Sequence, residues 1–422
     1  MTVTVDPPLI GGASDGDSLS HRVAGRLNSP LTSYYLVFGA TVTLTCIGLV
    51  MVLSSSSVES IADGASPFTE FWRQLMFAAI GVPAMLVAMR IPVRTWQVLG
   101  WPLLLVSFVL QMLTFVPSIG VGTKGNHGWI LIAGFTLQPA EVGKFALVVW
   151  GATVLVRKRP LMDQPLHALI PVVPGAGVLL MLILGGKDLG TAMVVMAIMA
   201  GLLFVAGAPL RIFAAASGVL LLAVLVLAQT DNRLDRIGSW LNGCSATSAD
   251  AMGACFQSVH GQWALASGGW WGVGLGASRE KWGLLPEAHN DFIFAIVGEE
   301  LGLVGTLLVI GLLLTLCLGL ARIVLRTDDL FVKIATSGVL IWVVTHSVIN
   351  IGGVIGLLPI VGMPLPLVSS GGTALITMLA ALGMVLGFAR RETGAAQALA
   401  ARVGLVQRSL AVLPVRREGR NR

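Results

Sequence analysis

The chain alternates between long continuous apolar runs and short polar or glycine-rich breaks. Runs of about 18 or more apolar residues have the length of a membrane-spanning helix. Ten such runs are legible, at 31–53, 72–89, 96–116, 139–156, 168–184, 190–207, 212–229, 290–321, 331–357 and 371–389. They are continuous rather than alternating, so helices, not a closed barrel, satisfy the backbone in lipid. The eighth is long for about 30 Å of hydrocarbon and is expected to tilt or to begin outside the bilayer. The pattern predicts an all-α, polytopic membrane domain over 29–391, with a polar tail at 1–28, a basic tail at 392–422 and one large loop at 230–289.

Composition agrees: 55% of residues are hydrophobic, 11% are charged and the mean hydropathy is +0.86, which excludes a soluble globular domain. An even number of spans puts both termini on one side. That side collects Arg22, Arg26, Arg90, Arg94, Arg157, Lys158, Arg159, Arg211, Arg322, Arg326, Lys333 and the eight arginines after residue 389. The positive-inside rule makes it cytoplasmic. The net charge of +6 is this bias and the basic tail, not a nucleic-acid surface. The first 28 residues lack an apolar h-region and read as a disordered cytoplasmic tail, with span one as the uncleaved targeting signal. The C-terminal tail is either solvated or laid on anionic lipid. Cys46 and Cys317 fall in spans as packing residues, while Cys244 and Cys255 share the external loop, where an oxidising envelope would favour a disulfide. No Cys/His spacing resembles a zinc site.

Charge at membrane depth is costly and marks a candidate functional site. Residues 281–302, KWGLLPEAHNDFIFAIVGEELG, place Glu287, His289 and Asp291 just before the eighth span and Glu299 and Glu300 within it. Glu141 and Lys144 sit one turn apart at the start of span four, either as a structural ion pair or as part of a site. The turn GKDLGT carries Lys187 and Asp188; GVGTKGNHGWI carries Lys124 and Trp129. The loop run GGWWGVGLG, in a segment with Trp240, Trp263 and Trp282, suits either the headgroup interface or a plug in the bundle. The proline- and glycine-rich stretch 350–373 reads as a broken, re-entrant segment beside a site, against the alternative of a tight structural turn.

Together MVLSSSS (51–57), QPAEVGK (138–144), KDLGT (187–191), GGWWGVGLGAS (268–278), LPEAHNDFIFAIVGEELG (285–302) and NIGGVIGLLPIVGMPLPLVSSGG (350–372) resemble the SEDS family of shape, elongation, division and sporulation proteins, over about residues 31–391. The polar N-terminal tail and the flanks of span one resemble the division branch more than the elongation branch. Two positions depart from the family pattern: Asn290 stands where threonine is frequent and Ser370 where tyrosine is frequent.

The resemblance implies a peptidoglycan glycosyltransferase that polymerises lipid II into a nascent glycan strand. It also implies work beside a class B penicillin-binding protein, the septal transpeptidase, and other divisome proteins in the bacterial plasma membrane, with the active site on the external face. The donor is α-linked and the polymer β-linked, so a single inverting displacement is expected. That step needs a base at the attacking hydroxyl and positive charge at the departing diphosphate. The resemblance assigns the base to Asp291; the alternative is a helix-start carboxylate on the dipole. Candidate substrate contacts are Lys124, Trp129, Glu141, Lys144, Asp188, Lys281, Glu287, His289, Ser369 and Ser370. Glu287 and His289 either orient substrate or cap the span. Glu299 and Glu300, two turns deeper, suit bundle packing or partner-coupled motion. Cations available to the diphosphate are Lys124, Lys144, Lys187, Arg279 and Lys281. A divalent cation, Mg²⁺ or Mn²⁺, would be bound through that diphosphate rather than in a protein cage, and no organic cofactor is expected. Two rival readings remain at this stage, a lipid II flippase and a non-enzymatic scaffold for the transpeptidase.

Overall fold

The computed structural model describes residues 31–123, 126–132, 134–161, 164, 169–211, 213, 238, 240, 243–244 and 255–392. The 1–28 tail, the basic tail after Glu392, the seventh expected span at 212–229 apart from Phe213, most of 230–254 and Lys124 lie outside the described residues. The helices are α1 (Thr32–Ala62), α2 (Thr69–Arg90), α3 (Val93–Leu113), α4 (Pro139–Lys158), α5 (Val172–Gly185), α6 (Leu189–Val205), α7 (Phe256–Ser267), α8 (Ile293–Arg326), α9 (Leu330–Val354) and α10 (Gly372–Ala389). Seven of these are long and apolar enough to cross a membrane, and α5 and α6 are shorter apolar helices. Apart from α7, they follow the expected spans in order.

Three features differ from the sequence reading. The glycine-rich connection after α3 is a small antiparallel meander of β1 (Gly120–Thr123), β2 (Asn126–Ile132) and β3 (Phe135–Leu137), in the order β1-β2-β3. The loop before α8 contains α7. Helix α1 runs through the polar LSSSSVES stretch to Ala62, because Ser55 and Ser56 return their hydroxyls to the Met51 and Val52 carbonyls at 2.7 Å. Cys46 is exposed on α1 rather than packed, whereas Cys244 and Cys255 form the disulfide at the start of α7.

Helix α4 is the centre of the bundle. It is apolar on nearly every face and almost wholly buried, with Leu147, Val148, Val149 and Trp150 fully covered, as expected of a core helix. Around it pack α3, α6, α9 and α10; α2 lies along α10 and α1 along α8. Pro139 starts α4 at the position where a missing N–H is harmless. Asp188 caps α6 by accepting from Thr191 N, and Asp329 caps α9 by accepting from Phe331 N and Val332 N.

The meander, the 186–188 turn, α7, the segment 268–292 and the irregular stretch 355–371 gather at one end of the bundle, the loop face. Arg90, Lys158, Arg326 and Arg390 mark the helix ends at the opposite face. Stretch 355–371 folds back into the bundle. Its Leu367 and Val368 main chain meets α1 at Gly48, in the middle of that helix. This is the re-entrant geometry expected from the sequence.

Candidate active site

The acidic segment before α8 and the re-entrant stretch are stitched together through their main chains. Ser370 N donates to His289 O at 3.0 Å. The Ser369 hydroxyl donates to Asn290 O at 2.7 Å and accepts from Leu365 N at 2.8 Å. The Asn350 amide donates to both Asp291 O, at 2.7 Å, and Met363 O, at 2.6 Å. From α2, Gln74 donates to Ser369 O at 3.2 Å and accepts from Gly371 N at 3.3 Å. Irregular backbone at membrane depth needs such partners, and here buried side chains supply them.

The half-buried Asp291 carboxylate lies against Gly362, which has φ +77°; a Cβ there would sit 3.3 Å from Asp291 Oδ2. Non-glycine residues in the left-handed region are Lys187 (φ 64°), Glu287 (φ 58°) and Leu367 (φ 66°) among the described residues. Lys187 and Glu287 lie on this face, and Leu367 lies in the re-entrant stretch that descends from it. Such conformations cost about 1–3 kcal/mol each and collect where surrounding structure imposes them, characteristically at functional sites.

Glu287 closes the turn into α8 by accepting at its carbonyl from Asn290 N and Phe292 N. His289 Nδ1 lies 3.1 Å from Glu59 Oε2 at the end of α1. Burial pulls the imidazole pKa down, but the Glu59 contact and the fields of Glu59, Glu287 and Glu70 outweigh it and raise it above 6.5. Across the re-entrant stretch, the 186–190 turn packs through Gly190 on Val361 and Met363, next to Gly362. Asp188 is buried in this turn and accepts from Thr191 and from Gln138 Nε2 at 3.0 Å. Half-buried Trp129 lies on β2, which joins the turn where His127 N donates to Gly186 O at 2.8 Å.

Two ion pairs lie deeper. Lys144 Nζ is 2.6 Å from Glu141 Oε1 and 2.9 Å from His346 Nε2, and both charged side chains are covered. Trp342 Nε1 also donates to His346 Nε2, so that nitrogen is the acceptor; the ring proton sits on Nδ1, 3.3 Å from Pro364 O. The pair thereby supports the re-entrant stretch from below. Beside it is a cavity for about one water molecule, lined by Glu141, Trp342, His346, Pro364 and Ser369.

On the other flank, Lys281 Nζ bonds Glu300 Oε1 at 2.9 Å and Ser54 O at 3.1 Å, while Ser54 Oγ donates to Glu300 Oε2 at 2.6 Å. Glu299 accepts from Ser278 Oγ and from Arg279 N. Both acids tie the segment before α8 to the bundle, a geometry that fits the packing alternative of the two the sequence left open. Lys144 and Lys281 are thus covered and engaged in ion pairs, whereas Lys187 and Arg279, also of the expected set, are exposed at the loop face. Sequence reasoning missed Gln74, Asn350 and His346, although each is a strongly polar side chain within an apolar span, a signal that could have marked them.

With this geometry in place, comparison with known proteins is informative. The family model for FtsW, RodA and SpoVE, described as a cell cycle protein, matches residues 34–394. The chain belongs to this family. A protein of Mycobacterium tuberculosis named probable peptidoglycan glycosyltransferase FtsW is 39% identical over 90% of this chain and 72% of that one. One of Geobacter metallireducens with the same name is 36% identical over 84% of this chain and 93% of that one. The fold is similar to a chain in a structure described as coordinating polymerization and crosslinking by a peptidoglycan synthase complex, with TM-score 0.67, 24% identity and coverage of 85% of this chain and 97% of that one. These two FtsW-named relatives are thus similar to this chain over most of its length.

Proposed function

We propose that Asp291 is the general base of a glycosyl transfer performed at the loop face. The chain is a peptidoglycan glycosyltransferase joining lipid II disaccharides into glycan strands, with release of undecaprenyl diphosphate. The acceptor 4-hydroxyl attacks the anomeric carbon of the donor sugar, Asp291 takes the hydroxyl proton and the diphosphate departs from the opposite side with inversion. A diphosphate is a good leaving group, so one carboxylate suffices where an inverting glycosidase needs two. The observation that carries this reading is the placement of Asp291. Its carboxylate borders the re-entrant stretch, and its own carbonyl is fixed by Asn350 in the clamp that fixes Met363. Such positioning keeps a base in line with its hydroxyl.

Lys187 and Arg279 supply the positive charge for the leaving group, with Trp129, Glu287, His289 and Ser370 along the rim as substrate contacts. Glu141, Lys144, Asp188, Lys281 and Ser369 act from below by holding the rim in place. Among the described residues no three His, Cys, Asp or Glu side chains form a metal cage. A Mg²⁺ or Mn²⁺ ion would arrive bound through the substrate diphosphate, where it would neutralise charge on the leaving oxygens.

Basic helix ends at the opposite face support cytoplasmic termini and an external active site. The similarity to FtsW-named proteins supports action at the division septum with divisome proteins and a class B penicillin-binding protein. The test is polymerisation of lipid II in detergent by the purified chain with a transpeptidase that lacks a glycosyltransferase domain. Strands are expected. Their absence with an intact complex and verified substrate would favour a flippase or scaffold, since detergent leaves no second side for transport.

A further inference from the structure

Helix α8 is interrupted. Gly302 has φ 68° and ψ −163°, far outside helical values, and the break is filled by the main chain of the GGWWGVG run. Val273 N and Gly274 N donate to the Glu299 and Glu300 carbonyls at 2.9 and 3.1 Å. Leu303 N and Val304 N donate to the Gly269 and Trp270 carbonyls at 2.9 and 3.3 Å. Two carbonyls and two N–H groups that the helix break would orphan are thereby paired. A Cβ on Gly302 would overlap Gly272 N and Trp270, so only glycine admits this approach.

The height of the break follows from helix geometry. From Gly302 to Arg322 the helix advances about 20 residues at 1.5 Å, about 30 Å, the thickness of the hydrocarbon. Leu303, Val304, Leu307, Leu308, Leu314 and Leu318 in that stretch are exposed and present an outward apolar face for lipid. Gly302 therefore stands at the boundary between lipid and headgroups on the loop side. At that level the inserted loop turns two indoles outward, Trp270 at 70% and Trp271 at 81% exposure. They continue the apolar face of α8 beyond the hydrocarbon, where amphipathic indole rings concentrate.

We propose that the 269–276 loop is a lipid-interface anchor. Trp270 and Trp271 seat among the phospholipid headgroups of the loop-side leaflet and set the height of the upper half of α8, which begins two residues after Asp291. The occupant is lipid because the patch is continuous with the lipid-facing side of α8 and is fastened to it by main-chain bonds. Of the two readings the sequence left open for this tryptophan-rich run, the exposure of both indoles excludes the plug.

The experiment places a nitroxide label at Trp271→Cys in a Cys46→Ser, Cys317→Ser background that keeps the Cys244–Cys255 disulfide. The full chain is reconstituted in vesicles of phosphatidylethanolamine and phosphatidylglycerol. Labels at Asp63→Cys, exposed after α1, and Leu318→Cys, exposed on lower α8, serve as aqueous and hydrocarbon standards. The 271 label is expected to show oxygen accessibility above the 63 label and nickel-chelate accessibility between the two standards. A 271 label indistinguishable from the 63 label overturns the proposal. So does a label that is aqueous in vesicles of the chain alone and becomes shielded only when the transpeptidase is added, which would make the surface a protein-docking site.

Discussion

Replacing Gly48 by alanine adds one methyl group to the middle of α1, at the point where the re-entrant stretch touches it. The new Cβ would lie 2.6 Å from Leu367 O and 2.8 Å from Val368 Cα, whereas ordinary contact begins at 3.4 Å. The differences, 3.4 − 2.6 = 0.8 Å and 3.4 − 2.8 = 0.6 Å, are the distances the main chain must withdraw. Both neighbours are backbone and Leu367 already has φ 66°, so no side chain can rotate away to relieve the overlap. Overpacking of this kind costs about 1–3 kcal/mol. The displacement passes to Ser369 and its bond to Asn290 O, next to Asp291. A shift near 1 Å at reacting groups lowers rate by up to about 100-fold. The assay is lipid II polymerisation with the transpeptidase, read beside the thermal midpoint of the same preparation. Gly39→Ala on the same helix is the control, since nothing lies within 4 Å of its Cβ. That change is expected to stabilise α1 by up to about 1 kcal/mol through helix propensity. If Gly48→Ala matches Gly39→Ala in midpoint and rate, the re-entrant stretch does not reach α1 as described.

Lys281→Met leaves Glu300 buried without its cation and should destabilise the chain by about 3–5 kcal/mol, while Lys281→Met with Glu300→Leu should recover most of that loss in thermal unfolding. Asn350→Leu removes the donors to Asp291 O and Met363 O; kcat is expected to fall more than KM rises, because the reacting carboxylate moves while the binding rim stays. His289 has a raised pKa in the folded chain, so its contribution to stability is fully present below pH 6.5 and is lost as pH rises through the folded value. A thermal-midpoint series across that window should show this slope in the parent and a smaller one in Glu59→Gln.

The spans were legible because a continuous apolar run has few other folded uses, and α8 to α10 fall within a few residues of their expected positions. The end of α1 was not, since Ser54 to Ser57 look like a loop until their local hydroxyl bonds are known. The break at Gly302 was hidden for a different reason: no proline marks it, the adjacent Glu299 and Glu300 read as a buried acidic pair rather than a break, and its cause is a main-chain insertion from about thirty residues earlier. The site divides in the same way. Glu287, His289 and Asp291 were readable as a cluster because they are neighbours in sequence. Gln74, bonded to Ser369 across 295 positions, and Asn350, bonded to Asp291, act through long-range contacts that no local pattern encodes. Lys281 read as a cation for substrate, yet its ammonium is covered by Glu300 and Ser54.

The central claim is that Asp291 takes the proton from the attacking hydroxyl. Asp291→Asn changes one carboxylate oxygen for an amide nitrogen and leaves the Asn350 bond to the main-chain carbonyl available. Lipid II polymerisation by the parent and this variant should be compared in complex with the transpeptidase, at equal thermal midpoint and equal complex formation. Glycan strands from the parent and none from the variant are the predicted result. Equal strands from both would keep the chain a polymerase and remove Asp291 from its chemistry.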